Sequence, residues 1–363
     1  MDFNYSEHHQ ILASSLRRYL ADTYSIDDRG QLAYRAPYHS REIWAGLAKM
    51  GILGAFVGEQ QGGFGGTAQD VLVIFEELGR ALCAEPVLAN LLCLRLLAVF
   101  PSSDLLEAVI AGETRMALAV CEPQVSCDLT CIETTARQVG RSWFLNGRKS
   151  AIYGAPGADH LLVVARADQG LGLFLLESPQ IIEAAMIDGG GIAELVMDDL
   201  AVKLIAADCA REIEDALDIG RVALCAEAVG AMTRLIDLTV DYLKQREQFG
   251  RALASFQALQ HRVVDMMVEL EQCRSITIAA VASYGTSEQS RLVAMAKNLV
   301  GRMATKIAEE SIQLHGGIGM TWEYPGSHYA KRLVMIDHQL GDQNDHLLRL
   351  IKLNKGGAQA TAV

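Results

Sequence analysis

The chain has 363 residues, enough for a large core split over two or three domains. Half of it is hydrophobic and 21% is charged, which excludes a disordered chain. The formal net charge of -12 excludes the basic footprint of a nucleic-acid binder, while still allowing a local Arg pocket for phosphate.

Met1-Asp2-Phe3-Asn4 lacks a basic-then-apolar signal pattern. No apolar run is long and clean enough to span a bilayer, so a cytoplasmic protein without membrane contact is expected. From Ser6 to about Gly112 the pattern is helical: Ile11, Leu12, Leu16, Tyr19 and Leu20 share a face, and so do Ile43 and Leu47. Gly62-Gly63-Phe64-Gly65-Gly66-Thr67 reads as a loop, Asp70–Leu82 as an amphipathic helix and Pro86–Val99 as another. Near Arg115 the pattern changes to short strands at Met116–Val120, Trp143–Leu145, Leu161–Ala165 and Gly172–Leu176. Asn146-Gly147 is read as a hairpin turn. From Cys209 helical spacing returns, in segments near 209–244, 255–283, 288–315 and 326–354. The expected architecture is α+β and multidomain: an all-α domain (1–114), a small β-barrel (115–208), a four-helix bundle (209–355) and a frayed tail (356–363). The eight cysteines are read as buried free thiols in a reducing compartment, since none form a C-x-x-C pair. Four histidines, at 315, 328, 338 and 346, lack the spacing of a metal site, and none is expected. His346 with Asp342 and Asp345 reads as a polar cluster at a helix N-terminus.

Two stretches carry chemistry. Arg246-Glu247-Gln248-Phe249-Gly250 runs on to Ser255-Phe256-Gln257, and Gln313-Leu314-His315-Gly316-Gly317-Ile318-Gly319 answers it. Arg supplies a fixed fork of donors for phosphate. Glycines let backbone N–H groups approach an anion with no side chain in the way. The pair suits a diphosphate-bearing cofactor.

In this order on a helical region, the two stretches resemble those of the acyl-CoA dehydrogenase family, flavoenzymes that desaturate acyl-CoA thioesters. The α–β–α plan extends the resemblance over the whole chain. It implies FAD held across a subunit contact, with Arg246, Gln248, Phe249, Gly250, Gln313, Gly316, Gly317 and Gly319 on its diphosphate and adenosine. It also implies that the Gly62–Arg80 region helps wall an acyl pocket. The barrel side departs from the family. Leu118-Ala119-Val120-Cys121-Glu122-Pro123, followed by Ser126-Cys127-Asp128, places Cys121 where the family has a hydroxyl against the flavin ring. Lys149-Ser150-Ala151-Ile152-Tyr153-Gly154 puts Ala151 at the family's flanking Trp and Tyr153 at its Thr.

The family removes the α-proton with a carboxylate. Its two base positions fall here on Gly220, before the retained Arg221, and on Leu340, before Gly341-Asp342. Neither can take a proton, and Asp342 is the nearest acid. Arg221 is expected beside CoA or flavin. The run from His315 to Thr321 and Leu340-Gly341-Asp342 look like the base-lacking small subunit of heteromeric members, such as pimeloyl-CoA dehydrogenase and certain steroid side-chain enzymes. The resemblance implies α,β-dehydrogenation of an acyl-CoA by a homo- or hetero-oligomer, a dimer of dimers, with an electron-transfer flavoprotein as acceptor. Other readings stay open: a homo-oligomeric enzyme using Asp342, a flavin oxidase or monooxygenase on the same fold, or a binding subunit without chemistry.

Overall fold

The computed structural model describes residues 6–100, 103–124 and 127–360. Met1–Asn4, Ser126 and the last three residues of the expected tail lie outside these. Six helices come first: α1 (Glu7–Thr23), α2 (Ile26–Leu32), α3 (Arg41–Lys49), α4 (Ala68–Arg80), α5 (Val87–Val99) and α6 (Ser103–Ile110). Seven strands follow: β1 (Met116–Ala119), β2 (Thr135–Val139), β3 (Ser142–Tyr153), β4 (His160–Ala167), β5 (Gly170–Glu177), β6 (Ile182–Ala185) and β7 (Gly191–Ala206). The C-terminal part holds α7 (Ala210–Gln245), the short strands β8 (Glu247–Gln248) and β9 (Arg251–Ala252), α8 (Gln257–Ala282), α9 (Gln289–His315), α10 (Pro325–His338) and α11 (Gln343–Ala360).

The chain forms two compact units. One gathers residues 27–70 and 84–220, the other 1–26, 71–83 and 221–363.

In the first unit, β4, β2, β3, β7 and β5 close on themselves through the β4–β5 pairing, with β1 on β4 and β6 on β7. The result is a five-stranded barrel with two extra strands. Its interior is filled by Ala117, Ala119, Leu145, Leu161, Val163, Phe174, Leu176 and Leu195. The four expected strands fall on β1, β3, β4 and β5, while β2, β6 and β7 were not expected and the turn lies elsewhere. Asn146 and Gly147 lie inside β3, where Asn146 faces Thr135 and the register on β7 slips between Leu145 and Gly147. A Cβ on Gly147 would stand 3.0 Å from the Cα of Thr134, so glycine serves a close backbone approach there. The hairpin turns instead at Gly140-Arg141, between the paired Val139 and Ser142, with Gly140 left-handed. Helix α5 is apolar all round and buried accordingly. Its one buried amide, Asn90, donates to Pro86 O and accepts from Met116 N–H, which ties the helix to β1.

In the second unit α9 is central, flanked by α8, α10 and α11. Helix α4 meets α7 backbone to backbone. A Cβ on Gly79 would stand 2.0 Å from Glu227 O, and one on Gly230 1.9 Å from Glu76 O. Around this crossing, buried acids find their cations: Glu77 with Arg17, Glu76 with Arg274, and Glu227 with Arg332 in a two-pronged bond of 2.6 and 2.8 Å. The expected fourth bundle segment, 326–354, is two helices. Leu340 at φ 56° and Gly341 at φ 98° break it between α10 and α11. Helix α11 runs on to Ala360, so the backbone from Gly356 to Ala360 is helical rather than frayed.

Candidate functional site

Helix α7 ends at Gln245, and Arg246 begins a small hairpin. Gln248 pairs with Arg251, and the two residues between them, Phe249 (φ 55°) and Gly250 (φ 75°), are both left-handed. That is the geometry of a tight two-residue hairpin turn, which favours glycine at its second position. Phe249 is 90% exposed, its ring 6.1 Å from that of Phe256, over which Arg251 stacks at 3.9 Å. A Phe left in water forfeits about 1.5–3 kcal/mol of burial. Among the described residues, Arg246 has no ion-pair or side-chain hydrogen-bond partner, and its side chain is exposed.

Helix α9 ends at His315 and tightens into a 3-10 turn over Gly316–Met320. Gln313, Gly316 and Gly317 are exposed. Gly316 sits at φ 66°, ψ -145°, a conformation closed to residues with a Cβ. Gly317 has no positive φ, and a Cβ there would meet nothing within 4 Å. Packing within the chain therefore does not require glycine at 317, and its bare backbone is open to a ligand. Gly319 differs: its Cβ would stand 2.9 Å from the Cβ of His315, so this glycine serves the fold. These segments fit the diphosphate end of a dinucleotide: an unpartnered Arg, an exposed aromatic ring and an open glycine backbone.

On the barrel, the two ring-side segments are joined. Ser150 N–H donates to Cys121 O at 3.0 Å. Behind them Lys149 is fully buried, donating to Glu122 Oε1 at 2.7 Å and Val120 O at 3.1 Å. Burial opposes the charge on Glu122, but bonds from Lys149, Thr134 and the Glu133 N–H hold its carboxyl below the usual range. Ala151 at φ 47° marks a bulge, where the β3–β7 register slips between Lys149 and Ile152, and Tyr153 follows half-buried. The expectation of buried free thiols fails at Cys131, which is exposed, and at one pair. Cys121 and Cys127 form a disulfide with Cα atoms 4.7 Å apart, while the other six cysteines are free. Six residues apart, the two meet by chain folding rather than by any recognised spacing. While paired, Cys121 offers no S–H donor to a cofactor.

The turn Gln339–Asp342, where the resemblance places the family's second base position, is largely buried and clamped. Leu340 is 3% exposed, and its carbonyl accepts from Arg221 Nε and His346 Nε2, both at 3.2 Å. Lys297, fully buried, donates to the carbonyls of Ile336, Asp337 and Gly341 at 2.9, 2.7 and 2.8 Å. One ammonium thus satisfies three carbonyls at the end of α10. Burial pushes Lys297 down to about 8 and His346 down to about 2, with Arg221 and Lys297 adding to the fall at His346. Asp342 caps α11: its Oδ1 accepts from Asn344 and Asp345 N–H at 2.7 and 2.9 Å, while Asp345 Oδ2 accepts Asp342 N–H at 3.0 Å. The polar cluster expected at a helix N-terminus is there. Arg221 is buried within the second unit, and Gly220 precedes it within α7. No sequence motif marks Lys297, although it falls at helical spacing with the buried Val293, Val300 and Ala304. Among the described residues no group of three His, Cys, Asp or Glu side chains could hold a metal, and no helix is long and apolar enough to cross a membrane.

Three family descriptions match in succession: acyl-CoA dehydrogenase N-terminal domain at 6–112, middle domain at 117–199 and C-terminal domain at 210–341. The chain belongs to the acyl-CoA dehydrogenase family, a family of flavoproteins. It is 28% identical over 349 residues to the long-chain specific acyl-CoA dehydrogenase of Sus scrofa mitochondria, covering 88% of this chain and 80% of that one. Among solved structures it is similar to the Tcur3481-Tcur3483 steroid ACAD, with TM-score 0.90 and 28% identity over 97% of this chain and 99% of that one. It is also similar to PigA with FAD and proline, with TM-score 0.88 and 26% identity over 98% and 99%.

Proposed function

We propose that this chain is the base-lacking half of a paired, FAD-dependent acyl-CoA dehydrogenase. The clamped turn at Leu340 carries the reading. The place where the family's second base would stand holds a buried leucine, its carbonyl taken by Arg221 and His346. The acid nearest in sequence, Asp342, is engaged in capping α11. A general base contributes typically 10²–10⁴-fold, so a chain without one needs a partner that supplies it. The likeness to a steroid enzyme whose name joins two components supports the pairing.

When bound, FAD supplies the hydride acceptor for the acyl β-carbon. In this reading Arg246 holds the diphosphate, Phe249 lies against the adenosine, and Gly316 and Gly317 offer backbone N–H groups from their open turn. The Lys149–Glu122 pair fixes the wall at Cys121–Glu122 and Ala151–Tyr153 against the ring's place. An electron-transfer flavoprotein is the acceptor and the oligomer a dimer of dimers, in the cytoplasm.

The test is co-expression with a related chain that carries a Glu before Arg or before Gly-Thr. Flavin stoichiometry and anaerobic bleaching by acyl-CoA are then measured on each chain alone and on the pair. Turnover is expected in the pair and at least a hundredfold less in this chain alone. Full turnover by the isolated chain, unchanged by Asp342→Asn, overturns the reading. Loss of turnover in Asp342→Asn points instead to a homo-oligomer using that acid. Arg246→Ala should lower flavin affinity by about 1.5–3 kcal/mol with the oligomer intact.

A further inference from the structure

His315 immediately precedes the open glycine turn and has no part in the proposed dehydrogenation. It is 4% exposed. Its Nδ1 lies 2.7 Å from Ser311 O, an atom that can only accept, so Nδ1 carries the hydrogen. Its Nε2 lies 2.5 Å from Tyr324 Oη, and with Nδ1 protonated it accepts from that hydroxyl. The ring is packed as well as bonded, with ring centroids 4.6 Å from Tyr242 and 4.7 Å from Tyr324. Thr239 on α7 bonds to Ser311 Oγ at 2.8 Å, so the hydroxyl beside the histidine is itself held. The backbone then leaves this anchor into Gly316, and Gly319 returns against the Cβ of His315. The turn therefore starts and finishes on one side chain.

We propose that His315 is the positioning residue of the cofactor turn: its neutral ring, fixed between Ser311 and Tyr324, sets where Gly316 and Gly317 present their backbone to a diphosphate. This rests on the reading of residues 246–250 and 313–319 as the cofactor's hold. A pH dependence follows. A proton added at Nε2 points at Tyr324 Oη, whose hydrogen must turn toward Leu238 O, 3.5 Å away and beyond good bonding distance. The groups facing this corner offer the charged ring little. Tyr324 is pushed up to about 12 by burial, with Tyr242 and Asp241 adding to the rise and Arg234 opposing it. Arg262 of α8 is bound to Glu310, and His328 of α10 is bonded to Trp322 O. Burial holds the His315 ring below its ordinary value, against the bond to Ser311. A depressed histidine favours the folded turn above its unfolded value and loses that contribution as pH falls through the folded one. Flavin affinity should therefore be level through neutral and weakly alkaline pH and weaken only in acid, where the folded ring takes up its proton.

The experiment measures FAD affinity of the assembled protein from pH 5.5 to 8, by recovery of free-flavin fluorescence, for wild type, His315→Gln, Tyr324→Phe and Arg246→Ala. Removing one hydrogen bond of this kind is expected to weaken FAD roughly two- to tenfold at pH 8 in Tyr324→Phe. His315→Gln should weaken it similarly and lose the fall on the acid side. Wild-type affinity in both variants, or an unchanged acid fall in His315→Gln, overturns the proposal. If His315→Gln does not assemble, ring NMR of the wild type at pH 7.5 decides with Tyr324→Phe: the Nδ1–H tautomer is expected, and the Nε2–H tautomer overturns it. Arg246→Ala separates the two levels. If it weakens FAD while His315→Gln and Tyr324→Phe do not, the inference falls alone. If it too has no effect, the reading of these segments falls and takes the inference with it.

Discussion

Glu85 should make this protein less stable as the pH rises from acid to weakly alkaline. Its side chain is 7% exposed. Oε1 accepts from Ser40 N–H at 2.9 Å, and Oε2 has no partner. Arg115 Nη1 and His39 Nε2, in the same unit, are also buried without a hydrogen-bond partner, and neither forms an ion pair with the carboxyl. Burial raises the Glu85 carboxyl to about 8, against the opposing pull of the Ser40 bond and of Arg115. The folded state therefore holds this proton more tightly than the unfolded chain does. Stability is fully retained below the unfolded value near 4.5 and falls as pH rises toward about 8. At about 1.36 kcal/mol per unit, that interval is worth up to about 5 kcal/mol, and relaxation around the charge reduces it to roughly 2–5. Glu85→Gln keeps the shape and the acceptor for Ser40 but cannot ionise. Near pH 5 the variant and wild type should unfold alike, and at pH 8 the variant should be more stable by that amount. Thermal and urea unfolding of the assembled protein at both pH values gives the comparison. An equal difference at pH 5 and pH 8 would refute the argument, because a packing or hydrogen-bond effect of the substitution does not depend on the carboxyl's charge.

Other outcomes follow from single contacts. Gly317→Ala should fold normally and lose flavin, whereas Gly319→Ala should cost stability, because its Cβ meets that of His315 at 2.9 Å; melting curves and flavin content distinguish the two. Lys297→Met strips three buried carbonyls of their donor and should cost about 3–5 kcal/mol, read from urea unfolding. Asp342→Ala removes the cap of α11 and should cost about 0.5–2 kcal/mol while leaving turnover of the paired enzyme unchanged. Thiol titration of the denatured protein should find six reactive cysteines before reduction and eight after; eight before reduction would remove the Cys121–Cys127 pair.

Periodicity determined the elements whose signals are local. Helices α4 and α5 and the strands β1, β4 and β5 lie where their apolar spacing placed them, because a helix or strand face must be buried whatever it packs against. The Arg246–Gly250 and Gln313–Gly319 stretches were legible for a similar reason, since a donor fork and bare backbone are properties of the residues themselves. What tertiary structure decided depends on what a residue meets. Asn146-Gly147 has the composition of a turn, but its glycine is needed because the Thr134 backbone passes 3.0 Å from where a Cβ would be. The apolar spacing from 326 to 354 continues through Leu340, yet that residue is left-handed and its carbonyl is claimed by Arg221, 119 positions away. Asp342 looked like the nearest available acid, but the start of α11 uses its carboxylate. Cys121 and Cys127 carry no pairing signal in their spacing. Lys297 reads as a charge on an apolar face until three carbonyls from the end of α10 converge on it. For Gly147, Leu340 and Lys297 the deciding partner is distant in sequence. Pattern along the chain reports which residues seek burial, and only the fold determines what they find there.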